Sequence, residues 1–490
     1  MKPHRRQTRR RGIVLVFVAV ILVLLIALAA LAVDLGYVYA VRQDLQVVAD
    51  AAALAAASGL SVDQATARQR AREYAGKNPI SGAAVELLDS DIELGLWNGD
   101  ARVFTPLADG SPQRPHAVRV TPRLSESRGS SVGLYFARAL GIDTIDIETS
   151  AIAVYGSRDI VLTLDYSASM DDDTSLAAID RLGENEVTQR MAAMWAALGS
   201  PQYGDMQFDP VRVSSVVHSK IYDALGLNGV SYPYPSGSWD EYFRYVYHPI
   251  PPVLDFSVPQ EFHKYYGYLT FLDYLQAIRP GVEQTPDLWK TPQQPITAVK
   301  DAVGIFFLYM NQERTNDRVA LVGYTDSEGD GILEAPLTDD YFFVMDTLRH
   351  RQAGHYFADD RVDGRKTNIA GGIEDARAEL LANGRSIAAR MIVLLSDGDA
   401  NWLPGFSAED RPPARAEALH QAHVCADAGI PIITISLGTN ANVPLMQEIA
   451  DITGGIHFIV PGGDDVSDYE EDLIQVFAQI AAHRPLVLVD

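Results

Sequence analysis

Residues 158–173, RDIVLTLDYSASMDDD, decide the fold of the second half of this chain. The first eight residues form a largely apolar run, which is typical of a strand buried in a parallel sheet. Asp165, Ser167 and Ser169 lie at alternate positions from the end of this run, so both hydroxyls can point the same way in a loop. Ligands of open α/β sheets bind beyond the carboxyl ends of the strands. The stretch therefore predicts a strand that ends in an oxygen-rich site.

Strands and helices alternate through the rest of residues 157–490. Apolar strands are predicted at 317–325, 389–398, 430–438 and 455–460, and helices at 295–312, 339–351, 368–384, 413–429, 442–454 and 468–483. This alternation indicates an α/β fold with a doubly wound sheet. None of these strands is followed by a GxGxxG or GxxxxGK[ST] motif, so the sequence does not predict a phosphate-binding loop.

More oxygen-bearing side chains lie at the same predicted edge of the sheet. Asp397 ends a later strand, and Thr367 lies in the loop before a helix. Hard divalent cations take oxygen ligands, and Mg²⁺ usually keeps some of its waters. The sequence therefore predicts a cation site in which one position stays free for a partner's carboxylate. The expected ion is Mg²⁺, with Mn²⁺ or Ca²⁺ left open. The alternative is that these polar residues only cap helices.

Three of these motifs also carry a resemblance to a known family. DYSAS, KTNIAGGI and LLSDGDAN, in this order, resemble the loops of a von Willebrand factor type A (vWA) domain with a metal-ion-dependent adhesion site. The resemblance covers residues 157–172 and 293–482. It implies a Rossmann-like fold and recognition of a protein partner through a bound cation. The metal-site residues that it implies are Asp165, Ser167, Ser169, Thr367 and Asp397.

Three acidic residues, Asp171, Asp172 and Asp173, extend the DYSAS motif. The continuation is similar to that of integrin β subunits, where it implies a second cation site, and Asp172 and Asp173 occupy the matching positions. The alternative is an acidic start to a helix or loop, which the helix dipole favours. Both interpretations stay open at this point.

Residues 174–290 form an insertion that the vWA pattern does not require. The insertion holds 11 of the 22 tyrosines and three of the five tryptophans of the chain. Such residues can form a small core of their own, or they can form a lid or partner-binding surface above the metal site. The sequence leaves both alternatives open.

The amino terminus predicts a membrane anchor. Six Lys or Arg residues in MKPHRRQTRRRG precede 21 uncharged residues, Ile13–Val33, which is long enough for a helix to cross a bilayer. Basic residues stay on the cytoplasmic side, so we expect the bulk of the chain on the other side. A cleavable signal peptide is the alternative, but its apolar region would be shorter.

The segment after the apolar run also resembles a known family. AVDLGYVYAVRQDLQVVADAAALAAASG resembles the amino-terminal segment of TadE/TadG-like proteins of the tight-adherence (Flp) pilus system, over roughly residues 10–60. Pilin-like members carry Glu five residues after a cleaved Gly, whereas here Phe17 follows Gly12 at that distance. The resemblance therefore implies an uncleaved, TadG-like anchor.

Between these segments, residues 61–156 predict a small α+β domain next to the membrane. Short strands alternate with turns, and SVGLYFARALG at 131–141 predicts a short amphipathic helix. The predicted domains are thus residues 1–60 (basic tail and transmembrane helix), 61–156 and 157–490.

Composition excludes several classes of function. A formal net charge of −24 opposes binding to nucleic acid phosphates. Cys425 is the only cysteine, so neither an intrachain disulfide nor a CxxC zinc site can form. The sequence has no HExxH or GxSxG motif, and we do not predict an enzyme. DSEGDG at 326–331 lacks the final glutamate of an EF-hand.

The predicted protein is a single-pass bacterial inner-membrane protein with a cytoplasmic amino terminus and its bulk outside the cytoplasm. It would bind a protein partner through a divalent cation, in assembly of a tight-adherence pilus or in surface adhesion. One alternative is a structural scaffold in which the metal only stabilises the fold. The other is a metal-dependent hydrolase, for which the sequence shows no base.

Overall fold

The computed structural model describes most of the chain. The described residues are 11–60, 62–98, 101–108, 111, 113, 115–247, 258–313, 317–325, 331–354, 366–385, 388–403, 411–461, 466–482 and 486–489. The chain divides into two compact units. Unit 1 contains Met1–Gly156 and Arg484–Asp490, and unit 2 contains Ser157–His483.

Unit 1 combines two helices with small antiparallel sheets. Its helices are α1 (Arg11–Gly59) and α2 (Gln64–Lys77). Its strands are β1 (Ile92–Asn98), β2 (Val103–Pro106), β3 (Ala117–Val120), β4 (Arg123–Leu124), β5 (Val132–Gly133), β6 (Thr144–Ile145), β7 (Ile147–Glu148), β8 (Ala151–Tyr155) and β17 (Leu486–Val489). The largest sheet has the order β17-β8-β3-β1-β2.

Helix α1 changes character along its length. By length and composition it contains a segment that can cross a membrane, and that apolar segment is not buried in the protein. Further along, alanines of α1 such as Ala52 and Ala56 pack on Ala67 and Ala71 of α2, and all four are fully buried. Small side chains let the two helix backbones approach closely, so the alanine-rich segment forms the core of unit 1.

Two features of unit 1 differ from the sequence predictions. The predicted helix at 131–141 is wrong: Val132 pairs with Ile145 in a hairpin, and only Ala137–Leu140 forms a 3-10 turn. Gly141, in the left-handed region at φ +85°, ends that turn. In addition, β17 pairs with β8, whereas the sequence assigns residues up to 490 to the vWA-like domain.

Unit 2 is a three-layer α/β unit with an insertion. Its strands are β9 (Arg158–Asp165), β10 (Val211–Arg212), β11 (Tyr265–Tyr266), β12 (Arg318–Tyr324), β13 (Ile332–Thr338), β14 (Ala389–Ser396), β15 (Ile432–Leu437) and β16 (His457–Val460). Its helices are α3 (Ile179–Leu182), α4 (Glu184–Ala197), α5 (His218–Ala224), α6 (Trp239–Tyr247), α7 (Tyr268–Ile278), α8 (Ile296–Glu313), α9 (Tyr341–Arg349), α10 (Ile369–Asn383), α11 (Arg411–Asp427), α12 (Val443–Thr453) and α13 (Val466–Ala482).

The main sheet of unit 2 has the order β13-β12-β9-β14-β15-β16. All neighbours pair in parallel except β13, which is antiparallel to β12 at the edge. Alternate residues of β9 enter two different cores. Ile160 and Leu162 pack with α8, α9 and α13, while Val161 packs with α10, α11 and α12. Helices cover both faces, which confirms the predicted doubly wound α/β class.

The insertion between β9 and α8 forms a core of its own. Tyr242, Phe243, Tyr266 and Phe271 are almost completely buried in one aromatic cluster. The carboxylate of Asp273 in α7 accepts hydrogen bonds from Leu176 N (2.8 Å) and Tyr245 Oη (2.7 Å), which ties the start of the insertion to this core. Of the two alternatives for the aromatic residues, the structure therefore favours a separate core.

Candidate metal centre

The predicted site lies where two central strands end. Strands β9 and β14 pair in parallel with Leu164 opposite Leu395, so Asp165 and Ser396 reach the same edge of the sheet. Asp397 follows directly. Asp165 and Asp397 are both buried.

A continuous set of hydrogen bonds links four of the predicted side chains and Ser396. Ser167 N donates to Asp165 Oδ1 (2.9 Å), and Ser396 Oγ donates to Asp165 Oδ2 (2.7 Å). The hydroxyls of Ser167 and Ser169 lie 3.0 Å apart, and Ser169 Oγ donates to Asp397 Oδ1 (2.7 Å). The two serines therefore do point the same way, between the two carboxylates.

Thr367 joins this group from the loop before α10. Its N–H donates to Asn401 Oδ1 (2.8 Å), and Asn401 N donates back to Thr367 O (3.2 Å). A Cβ added to Gly398 would lie 3.4 Å from Thr367 Oγ1 and 3.9 Å from Ser169 Oγ. Both hydroxyls therefore border the small space above Gly398, which a larger residue would partly fill.

The electrostatics of the site suit a cation. Burial raises the pKa of Asp165 to about 6, although hydrogen bonds from Ser167 and Ser396 oppose the shift. Burial, and then the nearby charge of Asp165, raise the pKa of Asp397 well above its ordinary value. Two buried carboxylates that repel each other are costly unless a positive charge offsets them.

The donor set fits a hard divalent cation. The described residues contain no cluster of three or more His, Cys, Asp or Glu side chains that could hold a metal ion. The predicted site instead offers two carboxylates and three hydroxyls, all of them oxygen donors. Oxygen donors suit Mg²⁺, Mn²⁺ or Ca²⁺ and not zinc in a thiolate or imidazole cage. The residues present therefore fit the predicted ion.

A small cleft, about 40 Å³ in volume, opens beside the site. Its lining includes Ser169, Asp172, Arg181, Asp397, Thr439 and Asn440. One water needs roughly 10–15 Å³, so the cleft has room for a few waters or for a small group such as a carboxylate.

Asp172 and Asp173, which follow the DYSAS motif, have different surroundings. Asp173 forms salt bridges with Arg181 and, at 3.6 Å, with Arg190, and it accepts a hydrogen bond from Tyr469 Oη (3.2 Å). Asp172 lines the cleft, and burial followed by the charge of Asp173 raises its pKa to about 7. Because the arginines already compensate Asp173, its geometry favours an ion-pair role. A second cation at Asp172 and Asp173 stays a prediction.

Arg181 is the residue through which the insertion reaches the cleft, and its charge opposes cation binding. We predict that Arg181→Gln increases the affinity for Mn²⁺ a few fold, because it removes a positive charge from the lining of the cleft. Isothermal titration calorimetry on the purified chain measures this. Arg244→Gln, on the exposed face of α6, is the matched control. Unchanged or weaker Mn²⁺ binding in Arg181→Gln would contradict the prediction.

The structure also adds residues that sequence reasoning missed. Ser396 and Asn401 orient Asp165 and Thr367, as described above. Tyr324 is buried behind the site and donates a 2.6 Å hydrogen bond to Leu395 O. Ser396 and Asn401 both lie in LLSDGDAN, so their proximity to Asp397 was a usable signal. Tyr324 ends a neighbouring strand, and only the register of β12 against β9 reveals its position.

Three family models match the chain. Residues 12–59 match the model for Flp pilus-assembly TadE/G-like proteins, and residues 49–153 match Tad-like Flp pilus-assembly. Residues 284–400 match the von Willebrand factor type A domain. The chain combines Tad-type and vWA segments. Their order is the one that the sequence predicts, which confirms the Tad-like and vWA resemblances, while the metal-ion-dependent adhesion site stays a prediction. The vWA match contains Thr367 and Asp397 but not the DYSAS loop.

The chain is also similar to solved structures, at low sequence identity and low TM-score. BatB from Bacteroides thetaiotaomicron is 17% identical, with a TM-score of 0.26, over 37% of this chain and 88% of that one. The SpRpn10 VWA domain is 17% identical, with a TM-score of 0.27, over 36% and 82%. The pilus adhesin SpaC from Lactobacillus rhamnosus GG is 14% identical, with a TM-score of 0.33, over 79% and 37%. No curated protein sequence matches the chain.

The family matches support a pilus-related adhesion role. Tad pilus-assembly and vWA families are typically non-enzymatic. The apolar helix and the Tad matches together indicate a single-pass membrane protein that associates with pilus components.

Proposed function

We propose that this chain is a membrane-anchored binding protein that recognises a protein partner through a divalent cation. The partner contributes a carboxylate, and the setting is assembly of a tight-adherence pilus or attachment of the bacterial surface. The observation that carries the proposal is the hydrogen-bonded set Ser167–Ser169–Asp397, which borders an open cleft. A site made of oxygen donors at the carboxyl ends of the strands can bind a cation. A carboxylate of the partner can then coordinate the same cation.

Each side chain of the site has a distinct task in this proposal. Asp165 is fully buried and holds the backbone of Ser167 and the hydroxyl of Ser396 in place. The hydroxyls of Ser167, Ser169 and Thr367 and the carboxylate of Asp397 would hold the ion, and Asp165 would add its charge directly or through a bridging water. The bound Mg²⁺ would attract and coordinate a carboxylate of the partner.

The cleft favours binding over catalysis. A hydrolytic metal centre needs a positioned general base beside the metal. None of the described residues that line the cleft is a histidine, lysine or glutamate, and its two aspartates other than Asp397 are Asp172 and Asp173. Asp173 is held by two arginines. Asp172, whose pKa burial raises to about 7, is the remaining candidate base, and the lack of a histidine, lysine or glutamate among the described lining residues supports recognition as the main task of the site.

The membrane orientation belongs to the proposal as well. Six Lys or Arg residues precede the apolar run and lie before or at the start of α1. Basic residues next to a membrane span remain in the cytoplasm. We therefore infer an inner-membrane anchor with both units on the outer side of that membrane.

Ser169→Ala is the sharpest variant for testing the proposal. Ser169 is only half-buried, and its hydroxyl bridges Ser167 and Asp397, so its loss removes one ligand without emptying the core. Asp165→Ala is less suitable, because Asp165 is fully buried and two hydrogen bonds end on it. Ser214→Ala, at an exposed serine of the same unit, is the matched control.

We expect Ser169→Ala to abolish surface attachment and piliation when it replaces the natural chain in the bacterium, at an unchanged protein level. A photo-crosslinking amino acid at Thr439 on the cleft rim should capture a pilus or secretion component only when Mg²⁺ is present. Normal attachment in Ser169→Ala, or crosslinking that EDTA does not change, would refute cation-dependent recognition. Loss of folded protein together with attachment would favour the scaffold alternative.

A further inference from the structure

A hairpin tip lies beside the point on α1 where the exposed apolar segment ends. Residues 15–33 of α1 are exposed except for half-buried Ala30, and burial begins at Asp34. The carboxylate of Asp34 accepts hydrogen bonds from three consecutive backbone N–H groups, those of Tyr135 (2.8 Å), Phe136 (3.0 Å) and Ala137 (2.7 Å). These bonds hold the tip between β5 and β6 at the end of the exposed apolar segment.

The tip presents apolar side chains to its surroundings. The exposed fractions are 64% for Tyr135, 50% for Phe136, 83% for Leu140 and 53% for Ile142. The base of the same hairpin is folded, because Val132 and Leu134 are buried. Single exposed apolar residues are ordinary, but a contiguous group of them on a folded loop marks an interaction surface.

The position of the tip identifies the surface that it meets. A bilayer core of roughly 30 Å needs about 20 helical residues, so the apolar run Ile13–Val33 ends at the edge of that core. Asp34 follows immediately. Tyr37, one turn further, packs edge-on against Tyr135 with ring centroids 5.2 Å apart. Tyrosine is enriched at this depth, where the apolar core meets the headgroups.

We propose that the hairpin tip, residues 135–143, inserts into the headgroup region of the bilayer on the side of unit 1. The apolar side chains of the tip would enter the boundary between headgroups and acyl chains, at the depth that monotopic elements reach. Arg138 and Asp143 carry opposite charges within the tip, so apolar burial and not attraction to anionic lipid provides the binding. The span and the tip together attach unit 1 at two points.

Environment-sensitive probes on the full chain can test the insertion. The only cysteine, Cys425, is buried, so Cys425→Ser gives a background for single labels. Leu140→Cys carries an NBD probe at a mostly exposed position, and Leu24→Cys carries it within the span. Val62→Cys is the matched control, because it is exposed and follows the end of α1 at Gly59, about 37 Å beyond Asp34 at 1.5 Å per residue.

The labelled chains are reconstituted in phosphatidylcholine vesicles that contain doxyl-labelled lipids. We expect the probes at 140 and 24 to be quenched by the doxyl lipids and protected from iodide in the water, while the probe at 62 shows the reverse. Added phosphatidylglycerol should leave the quenching at 140 unchanged.

Several outcomes would overturn the insertion of the tip. If the probe at 140 responds like that at 62 while 24 is quenched by lipid, the tip lies in water and only the span is correct. Protection of 140 without lipid quenching would indicate that another protein surface, such as a second copy, covers the tip. If the probe at 24 is not quenched by lipid either, residue 24 does not lie in the bilayer, and both the membrane span and the insertion of the tip are contradicted.

Discussion

Asp317→Ala is expected to lower the free energy of unfolding of unit 2 by about 3–5 kcal/mol, because it leaves a buried arginine without its counter-ion. Arg158 and Asp317 are both fully buried and form a salt bridge at 2.9 Å. Arg158 N also donates to Asp317 Oδ1 (2.6 Å), so one carboxylate fixes both the backbone and the side chain where β9 begins. Chemical denaturation followed by tryptophan fluorescence measures the loss.

Two further variants test whether the lost stability of Asp317→Ala comes from the unpaired charge of Arg158 and not from the removal of any aspartate. Asp346→Ala, on the exposed face of α9, should change the free energy of unfolding little. The double variant Arg158→Met/Asp317→Leu removes both charges and should recover much of the lost stability, since a buried pair can often be replaced by apolar residues. A double variant that is no more stable than Asp317→Ala would show that the charge imbalance is not the cause.

Mg²⁺ is expected to stabilise unit 2 by about 2.7 kcal/mol at a concentration of 100 times its dissociation constant, because only the folded site binds the ion. The physical basis is the repulsion between buried Asp165 and Asp397, which a cation offsets. Thermal denaturation with added Mg²⁺, Mn²⁺ or Ca²⁺, and after EDTA treatment, measures the gain and ranks the ions.

Asp397→Asn tests whether the negative charge of Asp397 is the reason that Mg²⁺ stabilises unit 2. The amide oxygen can still accept the hydrogen bond from Ser169, but the buried negative charge is gone. We therefore expect this variant to be at least as stable as the natural chain in EDTA, and to gain nothing from Mg²⁺. An Asp397→Asn chain that Mg²⁺ still stabilises, or a natural chain that Mg²⁺ does not, would contradict a cation site at these residues.

The α/β class of unit 2 was predictable because its signals are local. Apolar runs such as RDIVLTLD and ARMIVLLS are long, and the helices between them have distinct ends. The edge strand β13 was missed, since only Ala335 of its seven residues is buried and Pro336 interrupts a strand pattern. The rejected EF-hand motif at 326–331 lies outside the described residues except for Gly331.

The candidate site was predictable in composition but not in detail. Parallel strands bring their carboxyl ends to one edge, so Asp165 and Asp397 could be assigned to a common site from their positions alone. The roles of Arg181 and Asp173 could not be foreseen. Arg181 lies beside the cleft through its salt bridge with Asp173, and no sequence motif records that pair.

The sequence alone determined the apolar anchor, the order of the segments and the five oxygen-bearing residues of the candidate site, because each depends on neighbours in the chain. Tertiary structure decided where β17 pairs, which way the aromatic residues of the insertion face, and that Asp34 holds a hairpin tip at the end of the anchor. The first and third of these features join residues that lie more than a hundred positions apart, and the aromatic core joins residues from separate helices of the insertion. No periodicity or motif records such contacts, since they form only when distant segments pack together.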